Sequence, residues 1–272
     1  MKKHFSTVIL IFVFLIGLSL LLYPSLSNYW NFFHASRAVA SYSEEVANLD
    51  EEEYRRMLEE AKEYNRTLLG RGNQYTLSEE RKNEYNDLLN IGGTGIMGYI
   101  EIESLGVSLP IYHGTDDAVL QIGVGHLDWT SLPVGGEGPH CVISGHRGLP
   151  SAKLFTNLDK MSVGDTFVLR VLDEVLTYEV DQIFIVEPDD TEALQIEQGK
   201  DLCTLVTCTP YGINTHRLLV RGHRVENAIA SRLAHVTSDA VQIEPLIIAS
   251  IISVPLLLLL LIKLLIPKRR KK

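Results

Sequence analysis

Cysteine is scarce in this chain. Three are present in 272 residues, Cys141, Cys203 and Cys208, and an odd count leaves at least one thiol unpaired within the chain. Basic residues are outnumbered, 25 lysines and arginines against 34 aspartates and glutamates for a net charge of -9. That balance excludes a nucleic-acid binder, because phosphate recognition needs a cationic surplus on the domain that touches it. Proline is missing between Pro24 and Pro110. No segment repeats, and no tract is of low complexity. Gly92-Gly93-Thr94-Gly95 lacks the lysine and Ser/Thr spacing of a phosphate-cradling loop and reads as a plain linker. His113, His126, His140 and His216, taken with Cys141, match no zinc-ligand spacing, so no metal is expected.

What is present begins with enough apolar residues, 46% of the chain, to bury one large core. Two uncharged apolar runs stand apart from it, residues 5–22 and 246–262. Each is long enough to cross roughly 30 Å of hydrocarbon as a helix. Ala38-Val39-Ala40 has the texture of a signal-peptide cleavage site but lies too far past the first run. An uncleaved anchor is expected, with Tyr23, Tyr29 and Trp30 as interfacial aromatics. Pro255 and Lys263 interrupt the second run only mildly, since a lysine near a helix end snorkels and a proline at most kinks the helix. Lys2, Lys3 and the tail Lys268-Arg269-Arg270-Lys271-Lys272 put both termini in the cytoplasm by the positive-inside rule, and the middle of the chain outside. In that oxidising setting an unpaired thiol is a candidate nucleophile. Cys141 and Cys203 sit inside apolar runs and are expected to be inert.

The expected division is an N-terminal transmembrane anchor over 1–23, a helical stalk and linker over 24–97, a catalytic β domain over 98–226, a linker over 227–244, a C-terminal transmembrane helix over 245–267 and a basic tail over 268–272. Val46, Leu49, Met57, Leu58 and Ala61 recur at helical spacing among charges from Ser43 to about Leu69, which predicts one amphipathic stalk or brace. The acidic run Glu44 to Glu63 is its solvated face. A second short helix is expected over Ser78 to Leu89, and helical insertions at Asp117 to Gln121 and Ser151 to Leu158. Between glycine and proline breaks lie β-branched or alternating runs: Gly98 to Ile102, Val107 to Tyr112, His140 to Ser144, Asp165 to Leu172, Val175 to Val186, Leu202 to Cys208 and Arg217 to Val225. They predict an all-β domain, a barrel or sandwich, and closure would remove its exposed edges.

Three of these strand ends carry chemistry. Cys208 ends one apolar strand, Arg217 starts the next, and His146 stands where another runs into a glycine and proline turn. A thiolate attacks a carbonyl, an imidazole moves the proton that a departing amine needs, and a fixed cation stabilises the oxyanion. Histidine preceding cysteine argues against the papain-like plan.

The blocks TLVTCTPYGINTHRLLVRG (Thr204 to Gly222) and VISGHRGLPSAKLFTNL (Val142 to Leu158) resemble the two signature blocks of sortases, the pilus-assembling class C in particular. IYHGTD at Ile111 to Asp116 and GVGHLDWTSLPVGG at Gly123 to Gly136 resemble that class too, so the similarity covers about Gly98 to Val225. The resemblance implies a closed eight-stranded sortase-type β-barrel with short helices, preceded by an α-helical segment and here flanked by two transmembrane helices. It implies Cys208 as nucleophile, His146 as general acid and base, and Arg217 as stabiliser of substrate and oxyanion. Thr207 and Thr209, flanking the nucleophile, are candidate substrate contacts through backbone or hydroxyl. His113 and His126 recur in that class and are assigned packing or loop roles. No cofactor is implied. The implied partners are surface proteins or pilin subunits bearing an LPxTG-like sorting signal, and an acceptor amine, either a pilin lysine or a cell-wall precursor. A hydrolytic cysteine endopeptidase is the alternative activity. A non-catalytic surface protein would carry its own sorting motif before the final apolar run, where this chain has Val241-Gln242-Ile243-Glu244-Pro245. The chain departs from class C in lacking an Asp-Pro-aromatic lid. Either the site is open, or the segment Gly70 to Thr76 with Tyr75 covers it.

Overall fold

The computed structural model describes residues 2–68 and 76–227. The second apolar run, the linker before it, the basic tail and most of the Gly70 to Thr76 segment lie outside the described residues. The architecture is mainly β: eight strands close into a barrel in the order β1-β2-β3-β4-β7-β8-β6-β5. They are β1 (Ile96–Ile102), β2 (Val107–His113), β3 (Val124–His126), β4 (His140–Ser144), β5 (Thr166–Val171), β6 (Glu174–Val186), β7 (Leu202–Thr209) and β8 (His216–Val225). The period-two alternation of β structure turns Ile100 and Ile102 of β1, Phe167, Leu169 and Val171 of β5, Cys203 and Leu205 of β7, and Leu218 and Val220 of β8 inward, where they form one buried cluster. Closure comes from β1 pairing antiparallel with β5, Ile100 opposite Leu169. The sheet is mixed, because β2 and β3 run parallel, as do β4 and β7.

Seven of the strands fall on the predicted runs, and β3 does not. It is three residues long and carries Gly125, where an added Cβ would stand 2.1 Å from the carbonyl oxygen of Gly114. A strand that short offers no alternation to detect, and its glycine serves a close backbone approach. The helix expected over Ser151 to Leu158 does not form. The segment is a series of turns ending in a short 3-10 turn at Leu158–Lys160, with Leu154 at φ 36°. Burial of Leu154, Phe155, Leu158 and Met161 against the barrel overrides local helix propensity there.

Among the described residues four α-helices accompany the barrel: α1 (Lys2–Ala47), α2 (Glu51–Leu68), α3 (Glu79–Asp87) and α4 (Asp117–Leu120). The single helix expected from Ser43 onward is divided between α1 and α2, because Asp50 Oδ1 accepts the Glu53 amide at 2.8 Å and starts a new helix. Ser78 caps α3, accepting from the Arg81 amide. Leu58, Ala61 and Tyr64 of α2 are buried. Asn65 donates to the Leu132 carbonyl at 3.0 Å and accepts the Leu132 amide at 2.7 Å. Tyr42 of α1 donates to the Met97 carbonyl at 3.0 Å and accepts the Leu172 amide at 2.7 Å, and burial pushes its phenol well above the ordinary value. Ahead of this brace, α1 has exposed apolar side chains including Leu10, Phe12, Leu20 and Leu21. Among the described residues it is the one helix long and apolar enough to cross a membrane.

Candidate active site

The parallel β4–β7 pair sets Ser144 beside Val206, and the pairing continues one residue further as the Gly145 amide donates to the Val206 carbonyl at 3.0 Å. His146 is two residues past Ser144, and Cys208 two past Val206, so the register brings them to one level. On the other side of β7, Cys208 lies directly opposite Arg217 in the antiparallel β7–β8 ladder. Directly opposed residues of adjacent strands project from the same face. Since Cys203 and Leu205 face the core, alternation sends Thr204, Val206 and Cys208 to the outer face. The structure thus gathers the predicted histidine, cysteine and arginine at the ends of β4, β7 and the start of β8. All three side chains are half-buried.

The turn that carries His146 is tied down tightly. Thr207, itself buried, donates its hydroxyl to the Gly145 carbonyl at 2.7 Å. Gly145 has no room for a side chain, since an added Cβ would stand 2.6 Å from the Phe155 ring. The Phe155 amide in turn donates to the His146 carbonyl at 3.1 Å. Thr209 accepts from Arg147 at 3.1 Å. The hydroxyls of Thr207 and Thr209, two predicted substrate contacts, are therefore both engaged within the protein.

The Arg217 guanidinium donates to the carbonyls of Asn214 and His216 at 3.3 and 3.2 Å. Among the described residues no carboxylate pairs with it, which leaves positive charge available beside the thiol. His216 lies 3.2 Å from Glu187. His126, His113 and His140 are held by structural hydrogen bonds: Tyr85 reaches His126 Nδ1 at 2.9 Å, His113 sits between the carbonyls of Gly95 and Leu88, and His140 between the Gln195 carbonyl and the Thr204 hydroxyl. Cys141 and Cys203 are neighbours in register inside the barrel, and burial pushes the Cys203 thiol well up.

Sequence reasoning missed Arg147 and the apolar bed. Arg147 bridges from Thr209 to Asp159 at 2.6 Å, with its guanidinium carbon 5.9 Å from the centre of the Tyr211 ring. Its position next to His146 was the available signal. On the outer face, Val206 opposite Leu219 forms the pair next to Cys208 opposite Arg217. Val142, Val206, Leu219 and Leu194 make a second buried cluster there, with Leu127, Trp129, Phe184 and Val186 packed against it. The residues come from four strands and two loops, so their convergence depends on tertiary register alone.

Comparison with known proteins bears on this geometry. A family model described as Sortase domain matches residues 100–225. Sortase C1 from Streptococcus agalactiae is 51% identical, with a TM-score of 0.69 over 71% of this chain and all of that one. A sortase C from Clostridium perfringens, solved with the C-terminal cell wall sorting motif, is 44% identical, with a TM-score of 0.63 over 71% of this chain and all of that one. Sortase D of Bacillus subtilis is 33% identical over 131 residues, which are 47% of this chain and 63% of that protein, so the match spans less than two thirds of this curated relative. The chain belongs to the sortase family of cysteine transpeptidases, with class C sortases among its structural relatives.

Proposed function

We propose that the protein cleaves an LPxTG-like sorting signal through a thioester on Cys208 and transfers the acyl group to an amine, a pilin lysine being the favoured acceptor. The observation that supports the reading is the register that sets Cys208 opposite Arg217 across β7 and β8 and at the level of His146 just beyond β4. Cys208 Sγ attacks the threonine carbonyl, and the oxyanion that forms is held by the Arg217 cation. The C–N bond breaks as His146 gives its proton to the departing amine. The acceptor amine then attacks the thioester, His146 takes its proton, and the Cys208 thiolate leaves. Thr207 and Thr209 contribute backbone to the acyl site, their hydroxyls being used elsewhere. The partly buried Leu127, Trp129, Phe184 and Val186, packed over the buried cluster of Val142, Val206, Leu219 and Leu194, offer apolar surface suited to the apolar residues of a sorting peptide that precede the cleaved bond. The sorting motif in the Clostridium perfringens structure supports this substrate class.

The chain is proposed to be a two-pass membrane protein with its catalytic domain outside, the run 5–22 within α1 and the run 246–262 being the spans. Protease added to intact cells should degrade the middle domain and spare the basic tail; an intact middle with a clipped tail would reverse the topology. Incubating the protein with a sorting-signal substrate and a lysine-bearing pilin separates the activities. A product joined to the amine supports transfer, whereas a free carboxylate alone would make the protein a hydrolase.

A further inference from the structure

α1 does more than anchor the domain. It grips the loop that follows the catalytic histidine: Asn28 Oδ1 accepts the Lys153 amide at 2.9 Å, and Asn31 donates to the Ser151 carbonyl at 2.9 Å. Three residues apart, the two asparagines share one helix face. At the same level, Leu26, Tyr29, Trp30, Phe32 and Phe33 are exposed, and Ala35 is the first residue of the helix's described side chains to be buried. Exposed aromatics just beyond an apolar span are what the headgroup layer of a bilayer accommodates. Asn28 lies six residues past Leu22, the end of the apolar run, or about 9 Å along a helix rising about 1.5 Å per residue. The interfacial layer is itself roughly 5 to 8 Å deep, so the Ser151 to Lys153 loop stands at its outer edge.

That loop is the catalytic turn's own extension. It leaves from His146 and returns to it where the Phe155 amide meets the His146 carbonyl. Gly148, on the way, lies against Tyr211, whose ring would be 3.1 Å from a Cβ placed there. Tyr211 and Ile213, on the connection from Cys208 to Arg217, are 60% and 68% exposed. Large apolar side chains that open to solvent beside an anchored surface mark a contact.

We infer that the catalytic end of the barrel rests on the outer surface of the membrane, with Tyr211 and Ile213 seated among lipid headgroups and α1 fixing the orientation through Asn28 and Asn31. The inference rests on α1 being the anchor. The site then opens toward the bilayer, and a substrate still held in the same membrane meets Cys208 without crossing the height of the barrel. Leu202 marks the far end of β7, about 20 Å from Cys208 at about 3.3 Å per residue, and Lys200 lies two residues beyond it.

The test uses the full chain carrying Cys208→Ala, in vesicles of phosphatidylcholine with a minor share of phosphatidylglycerol. An environment-sensitive fluorophore is attached through Ile213→Cys in one sample and Lys200→Cys in another. The expected result is severalfold stronger quenching by headgroup-labelled lipid at 213 than at 200, reduced by Asn28→Ala with Asn31→Ala while the protein still floats with the vesicles. Equal, weak quenching at both positions in protein that floats would overturn the inference and leave the anchor intact. A blue shift at 213 without lipid quenching would assign these side chains to a protein contact, and overturn it equally. Failure to float would remove the anchor and the inference with it.

Discussion

Replacing Thr207 by valine keeps the volume of the side chain and removes one proton donor. The hydroxyl's partner, the Gly145 carbonyl 2.7 Å away, belongs to a buried residue, so the carbonyl is left without that bond in a site where water does not replace it. Orphaning a buried acceptor costs about 1–3 kcal/mol, and a loss of about 2 kcal/mol lowers Tm by roughly 4 to 8 °C in a domain of this size. The stability change alone would leave turnover untouched at 25 °C. The larger effect is expected on kcat, because the same hydrogen bond fixes the residue preceding His146. A misplacement of about 1 Å at a catalytic group costs up to about 100-fold. Thr207→Val should therefore lower kcat by roughly 10- to 100-fold with KM little changed, and Thr207→Ser, which restores the donor, should recover most of it. The assay is steady-state cleavage of a fluorogenic sorting peptide beside a thermal melt. A valine variant that loses stability but keeps wild-type kcat would refute the idea that Thr207 positions the histidine.

Cys208→Ala should abolish acyl-enzyme and product, while Cys141→Ala and Cys203→Ala, altering two core thiols of the barrel, should retain turnover and lose about 1 kcal/mol or more to the cavity left behind; activity and melting curves check both. Arg147→Met should lower kcat, since it frees Thr209 and Tyr211, and should do so without abolishing thioester formation in a mass spectrum. His140 is buried and neutral, its Nδ1–H directed at the Gln195 carbonyl; burial holds it below its ordinary value of 6.5. The unfolded chain then takes up its proton first, so stability is full above 6.5 and falls as pH drops through that value. Tm should decline from pH 7 to 5, and His140→Asn should flatten the decline. Deleting residues 66–80 should leave the alkylation rate of Cys208 unchanged if the site is open, and a large acceleration would reveal a covering segment.

The strands were legible because apolar and β-branched runs between glycine and proline breaks announce them, with alternating burial in Thr166–Val171 and burial on both faces in Leu202–Thr209, whereas closure into a barrel rather than a sandwich came from the family resemblance. β3 was not, because Gly-Val-Gly-His has no period and exists only where two neighbours supply hydrogen bonds. Ser151 to Leu158 misled for the opposite reason, its helical composition being overruled by the burial of Phe155. Cys208, His146 and Arg217 stood out as polar residues at strand ends. The engagement of the Thr207 and Thr209 hydroxyls, the bridging by Arg147 and the apolar bed depended on which strands lie side by side, and no local pattern encodes that order.

In the proposed mechanism Cys208 carries the acyl group between His146 and Arg217. That role is tested most directly by mass spectrometry of the intact protein, quenched in acid during turnover of a sorting peptide and then digested. One added acyl mass is expected on the peptide containing Cys208, removed on addition of an amine that appears in the product. An acyl mass on any other residue, or product formation by Cys208→Ala protein, would contradict it.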